Sequence, residues 1–337
     1  MISRRLRALA LLTAACTLGA VPVLTAPVAA AGPDRAAAAG PASAAGPGQA
    51  DCAAPRRTSG PVGAAARLDR APDHRQYSLR QLRRIDRRLH RTLVTRDQRG
   101  AATRFGLVMR IPVHVHVIDG RHTRGPGTRA VRRQLRVLNR AYDGGQSRRN
   151  TPTRFAFYLE SLDRHRNQRW RTASTDSAAD HRMRRRLHRG GPDALNLYFA
   201  APQSSQAGTV VLGWSTMPWQ SRRSPRLDGV VIHQESLPGG ALDRYNRGDT
   251  TVHEVGHWLG LFHTFEGGCS KRNDRVADTP AEAEPSLSCE VGRDTCEADG
   301  RDPVRNFMNY SYDSCMTLFT PGQVARMTDN WLAYRTP

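Results

Sequence analysis

Apolar residues recur along this chain with two periods, and each change of period marks an element. Ile111-Pro-Val-His-Val-His-Val-Ile118 alternates with β-branched residues, which predicts a half-buried strand. Arg154 to Leu162, Ala194 to Ala200 and Asp228 to His233 predict further strands; the last is expected near a cleft, where an extended peptide could add by edge pairing. Helical spacing appears between Tyr77 and Val94, where Leu79, Leu82, Ile85, Leu89 and Leu93 form a stripe through an arginine-rich segment. It appears again from Thr128 to Tyr142, with Val131, Leu135, Val137, Leu138 and Ala141 on one face. A third helix is expected from about Thr251 to Gly260, its start capped by Arg247-Gly-Asp249-Thr-Thr251. Strand, helix, strands and helix in that order give an α/β (α+β) arrangement.

The ends of the chain follow different rules. Arg4, Arg5 and Arg7 precede an apolar run from Ala8 to Leu24, and Ala29-Ala30-Ala31 offers a small-residue cleavage site. Residues 1–31 therefore read as a secretory signal peptide, and Gly19 and Pro22 interrupt the run, which argues against a membrane span. Residues 32 to about 66 are rich in Ala, Gly and Pro and have too few large apolar residues to form a core. They and the basic helix after them, residues 32–105, read as a leading segment distinct from the main domain, residues 106–337.

Charge changes this picture little. The net charge of +21 raises the question of nucleic acid, but the excess is spread: 17 Arg against 6 acids in residues 1–100, 26 against 11 in 101–250, and 8 basic against 13 acidic groups in 251–337. No recognition element concentrates it. Salt-sensitive contact with anionic surfaces is the expectation, without a specific nucleic-acid partner. Six cysteines are present, and Cys16 leaves with the signal peptide. Cys269, Cys289, Cys296 and Cys315 sit together in the last seventy residues, where an exported protein forms two disulfides with three connectivities open.

The chemistry concentrates in His253-Glu254-x-x-His257-x-x-Gly260-x-x-His263. On a helix, His253 and His257 project from one face a turn apart, close enough to share a zinc ion. Gly260 can take a positive φ, end the helix and return the chain so that His263 becomes a third ligand. Three nitrogens leave one tetrahedral position open, as in a catalytic zinc site. Glu254 lies beside the ligands, placed to take a proton from the attacking water. The competing reading is an amphipathic core helix with incidental histidines. Chance gives H-E-x-x-H in roughly four of a hundred chains this long, but the full pattern in about one of ten thousand. Two histidines and a glutamate also suit a buried face poorly unless they have a partner.

This eleven-residue pattern resembles that of the metzincin metallopeptidases. Asn306-Phe-Met308-Asn-Tyr310 resembles their methionine-containing turn, and Phe319-Thr-Pro-Gly-Gln323-Val-Ala-Arg-Met327 with Asp278-Thr279-Pro280 narrows the resemblance to the pappalysin family. The resemblance implies a metzincin-type zincin: a twisted mixed sheet and zinc-binding helix above, and an irregular disulfide-tied lobe below with the Met-turn and a C-terminal helix. It implies Met308 as an apolar floor beneath the metal and Tyr310 as a partner of the metal or the developing oxyanion. It favours Cys269–Cys296 and Cys289–Cys315. It also implies calcium in the acidic lobe, with Asp274 and Asp278 as candidate ligands, and latency through a propeptide cysteine, for which Cys52 is the candidate although Ala53 stands where a glycine is expected.

The sequence therefore points to a secreted, monomeric zinc endopeptidase made as a zymogen and acting on polypeptides. Two rivals remain: an inactive zinc-containing binding module that adheres through its arginines, and a zinc hydrolase acting on non-protein amides or esters. Retention of Glu254 speaks against the first, because binding zinc does not require that acid. His114, His116 and His233 read as structural residues of their strands.

Overall fold

The computed structural model describes residues 69–70, 73, 76–97, 108–204, 209–298 and 300–336. The elements in order are β1 (Asp69–Arg70), α1 (Leu79–Asp97), β2 (Met109–Asp119), α2 (Thr128–Tyr142), β3 (Phe155–Arg166), α3 (Gln168–Arg171), α4 (Ala178–Leu187), β4 (Leu195–Ala200), β5 (Thr209–Val210), β6 (Gly213–Ser215), α5 (Pro218–Ser221), β7 (Val230–His233), α6 (Asp249–Trp258) and α7 (Pro321–Asn330). Five strands form one sheet in the order β3-β2-β4-β7-β6, parallel except for β6. β1 and β5 pair separately.

The period of two along β2 separates the sheet's faces. Val113, Val115 and Val117 turn to one side with Leu195, Leu197, Phe199, Val230 and Ile232, and pack against α2 and α6 in the main core. On the other face Ile118, Tyr198 and Val231 meet Met183 and Leu187 of α4. β3 runs to Arg166, four residues beyond its apolar signal. It is an edge strand, so Asp163-Arg-His-Arg166 can pair with β2 while remaining polar. One expectation is overturned: β7 lies between β4 and β6, so its backbone is paired on both sides and cannot accept an added strand. The edge beside the zinc-type helix is β6.

All ten residues of α6 are buried. Its start is not capped by its own Arg247–Thr251 segment: Gly248 is left-handed at φ 96° and no side chain there caps the helix. Instead Asp313, within the loop that the Cys289–Cys315 bond closes, accepts backbone N–H groups of Arg247 at 2.8 Å and Gly248 at 3.1 Å. A carboxylate suits the positive end of the helix and satisfies donors that α6 cannot pair internally. The other end is clamped by the C-terminus. Arg335 is fully buried, its Nε donates to Trp258 O at 2.9 Å, and its guanidinium lies 3.5 Å from the Trp258 ring centroid. The same guanidinium forms a two-point ion pair with buried Asp228 at 2.7 and 3.2 Å.

Below α6, Cys269 bonds to Cys296 and Cys289 to Cys315, tying together loops that have little regular structure. α7 opens with a reciprocal cap between Thr320 and Gln323 and runs into a π turn, Trp331–Arg335. α1 lies across this end of the molecule, its Leu82 and Leu89 packed with Met217, Trp219, Phe262, Ala333 and Tyr334. Asp86 of α1 ion-pairs with Arg275 and Arg326. The signal-peptide segment and Cys52 lie outside the described residues.

Breaking one partner of a buried ion pair leaves an uncompensated charge, which costs about 3–5 kcal/mol. Arg335→Met is therefore expected to destabilise the protein by about 3–5 kcal/mol in urea unfolding, through Asp228 left without its cation.

Candidate active site

Three imidazoles meet at the C-terminal end of α6. His253 and His257, four residues apart, bring their Nε2 atoms to 3.1 Å. The helix stops at Trp258, and Gly260 takes φ 97°; a Cβ there would lie 2.3 Å from the Asn330 side chain, so both conformation and space demand glycine. The turn brings His263 Nε2 to 3.1 Å from His257 Nε2. All three side chains are buried.

The far side of each ring decides what these contacts mean. His253 Nδ1 lies 2.6 Å from Phe307 O, and His257 Nδ1 lies 2.8 Å from Leu261 O. A carbonyl oxygen only accepts, so each Nδ1 carries the proton and donates it. A neutral ring so held presents a bare Nε2 lone pair to the others. The His253 and His257 acceptors at 3.1 Å repel one another unless a cation stands between them, and buried imidazole nitrogens are the donors that zinc takes. The residues fit a zinc ion.

A fourth donor comes from a residue that nothing in the sequence singles out. Asp73 is buried, with Oδ2 at 2.9 Å from His253 Nε2 and Oδ1 at 3.0 Å from His263 Nε2. Tyr310 donates its hydroxyl to Asp73 Oδ1 at 3.0 Å. Burial on its own raises the Asp73 carboxyl, but the imidazoles, His263 foremost, outweigh it and hold the group well below the ordinary carboxylate range. The chain just beyond Asp73 anchors it. Tyr77 donates its backbone N–H to Glu266 and packs its ring edge-on to Phe262 at 5.5 Å, and α1 continues the docking. Asp69, Asp73, Asp86 and Asp97 are all isolated acids in an arginine-rich stretch, so sequence alone offers no reason to choose among them.

Glu254 is fully buried on α6 and faces β6. Gly213 makes room for it: a Cβ there would stand 2.9 Å from Glu254 Cγ and 2.8 Å from Val231 O. Met308 packs under the helix at Gly256, where a Cβ would stand 2.4 Å from its sulfur. Tyr310 sets its ring edge-on to His263 at 4.8 Å. A cleft of about 310 Å³ opens beside Asp73, lined by Tyr77, Trp214, Ser215, Thr216 and Met217 among others.

The acidic candidates of the lower lobe are not gathered there. Asp278 accepts from Thr320 Oγ1 at 2.7 Å and from Gly322 N–H at 2.8 Å, at the start of α7. Asp274 accepts from Val276 N–H at 3.0 Å, and burial pushes its carboxyl well up. Among the described residues, neither joins a cluster of three metal-ligating side chains.

Residues 239–332 match the family model Peptidase M43, described as pregnancy-associated plasma protein-A. The chain is 41% identical over 230 residues to an extracellular metalloprotease of Pyricularia oryzae, covering 67% of this chain and 76% of that protein. It is 41% identical over 244 residues to an extracellular metalloprotease of Colletotrichum graminicola, covering 70% and 81%. Among solved structures it resembles mature mirolysin of Tannerella forsythia bound to a cleaved peptide, with a TM-score of 0.57 and 25% identity, over 68% of this chain and 99% of that one. A promirolysin mutant from the same organism matches with a TM-score of 0.61 and 23% identity, over 76% and 91%.

The contact at Gly213 yields a test. Gly213→Ala forces either Glu254 or β6 to move while leaving the three imidazoles in place. A displacement of this kind is expected to lower kcat for casein by about 100-fold with the zinc content unchanged, read by steady-state kinetics beside metal analysis.

Proposed function

We propose the working parts of this chain from one premise: it belongs to the Peptidase M43 (pappalysin) family and is a secreted zinc metalloendopeptidase. His253, His257 and His263 hold the zinc. Supporting this is the single observation that carries the reading: three buried Nε2 atoms, at 3.1 Å from His253 to His257 and from His257 to His263, converge on one point with a carboxylate drawn into it. When bound, zinc supplies Lewis-acid chemistry: it polarises the substrate carbonyl and lowers the pKa of water.

Glu254 takes the proton of the attacking water and returns it to the leaving amine. Its burial against Gly213 supports that role, because a carboxylate out of bulk water is a stronger base and is fixed in direction. Tyr310 donates to an oxygen at the reacting centre. In the latent chain that oxygen is Asp73 Oδ1; once the propeptide leaves, it is the oxyanion that develops from the scissile carbonyl. Met308 forms the floor beneath the imidazoles. An extended peptide lies along β6, whose Trp214 and Ser215 line the cleft beside Asp73.

Asp73 keeps the newly made chain latent. Its carboxylate holds the position that water and the substrate carbonyl must share, and α1, Tyr77 and Asp86 bind it there. Residues 1–31 are then the signal peptide, 32–105 the propeptide and 106–337 the enzyme. Cutting between α1 and β2 severs the segment from the domain it occludes.

Glu254→Gln separates the protease from a zinc-containing binding module. The variant, nicked beside the parent, is expected to keep one equivalent of catalytic zinc and to lose casein cleavage by at least about 100-fold. Cleavage at the parent's rate would overturn the assignment of Glu254. Zinc bound, with no protein cleaved by the nicked parent, would overturn the peptidase.

A further inference from the structure

The face of the sheet turned away from α6 carries a second convergence of metal-type ligands. β2 and β3 pair in parallel with His116 opposite Asp163 and Ile118 opposite His165, so the period of two puts these side chains on one face. One ligand atom from each of His116, Asp163 and His165 lies within 4.8 Å of the others. His116 and His165 border a cavity of about 350 Å³, with Trp170, His188 and Arg189 on its wall.

The tautomer of His116 follows from its neighbours. Arg189 donates its backbone N–H to Asn196 Oδ1 at 2.9 Å, and Asn196 Nδ2 donates to Arg189 O at 2.9 Å. These two bonds fix which end of the Asn196 amide is oxygen. His116 Nε2 lies 3.0 Å from that oxygen and must be the N–H. The ring is stacked on Tyr198 with centroids 4.8 Å apart and is fully buried, so it cannot turn over. Nδ1 of the neutral ring is therefore a lone pair aimed into the cluster, without a hydrogen-bond partner among the described residues and 4.0 Å from Asp163 Oδ2. Buried His165 Nε2 also has no partner there. Arg189 sets a guanidinium nitrogen 3.0 Å from Asp163 Oδ2, but its side chain is half exposed and can swing outward. It answers the carboxylate and leaves both imidazole lone pairs unanswered.

An imidazole whose far nitrogen donates to a fixed carbonyl oxygen is the arrangement that orients a metal ligand. Two nitrogens and one carboxylate oxygen suit a zinc-type divalent ion with water in the remaining position, whereas calcium and magnesium take oxygen sets. We propose that His116 Nδ1, His165 Nε2 and Asp163 Oδ2 form a second, non-catalytic site for a zinc-class divalent transition metal. Such an ion ties the polar end of edge strand β3 to β2, its neighbour in the sheet.

The test counts metal by a readout independent of proteolysis. The full-length protein is dialysed against zinc chloride and then against metal-free buffer, and bound zinc is measured by mass spectrometry for the parent, His165→Ala, Asp163→Asn and His257→Ala. His165 and Asp163 are only partly buried, and Asp163→Asn keeps the shape of the side chain, so a folded variant is at hand. The parent is expected to hold two zinc ions, His165→Ala and Asp163→Asn one each. His257→Ala reports on the catalytic centre alone: it is expected to keep the ion at His116, and its loss of the other leaves this proposal untouched. A zinc count in both His165→Ala and Asp163→Asn equal to the parent's would overturn the proposal.

Discussion

Two backbone carbonyls decide the character of this molecule's centre. Phe307 O and Leu261 O each take the Nδ1 proton of a histidine on α6, which turns two Nε2 lone pairs towards each other at 3.1 Å inside a buried site. That arrangement is unfavourable without a cation and strongly favourable with one. The surrounding structure exists to impose it. Phe307 belongs to the turn that also carries Met308 and Tyr310, so the same few residues hold the His253 ring, pack under α6 and reach Asp73.

Holding α6 rigid is the next requirement, since a site that is loose by an ångström loses much of its rate. Each end of the helix is fixed by a residue remote in sequence. Asp313 caps the N-terminus, and the Arg335–Asp228 pair closes over Trp258 at the other end. Both contacts recruit the irregular lower lobe, and the bond between Cys289 and Cys315 holds the approach to Asp313. The lobe that has least secondary structure thus supplies several of the contacts on which the best-ordered helix relies.

Much of this was legible in the sequence, and the failures share a cause. The alternation of β2, the stripe of α2 and the spacing of His253, His257 and His263 are local patterns, and each element stands where its pattern lies. Asp313 as the cap of α6, Gly213 as the space for Glu254 and β6 as the edge strand depend on contacts between distant segments, which no period records. β7 looked like a docking edge because an apolar run does not reveal how many neighbours it has. Asp73 is the sharpest case. One aspartate among several draws no attention in a sequence, although a carboxylate is a good zinc ligand.

The central proposal is that the Asp73 carboxylate closes the metal centre of the newly made chain. The most direct measurement compares casein cleavage by full-length parent, Asp73→Ala and Cys52→Ala proteins without added protease. The expected result is a latent parent, an Asp73→Ala protein that is active or processes itself, and a Cys52→Ala protein as latent as the parent. An Asp73→Ala protein that stays latent while Cys52→Ala becomes active would contradict it.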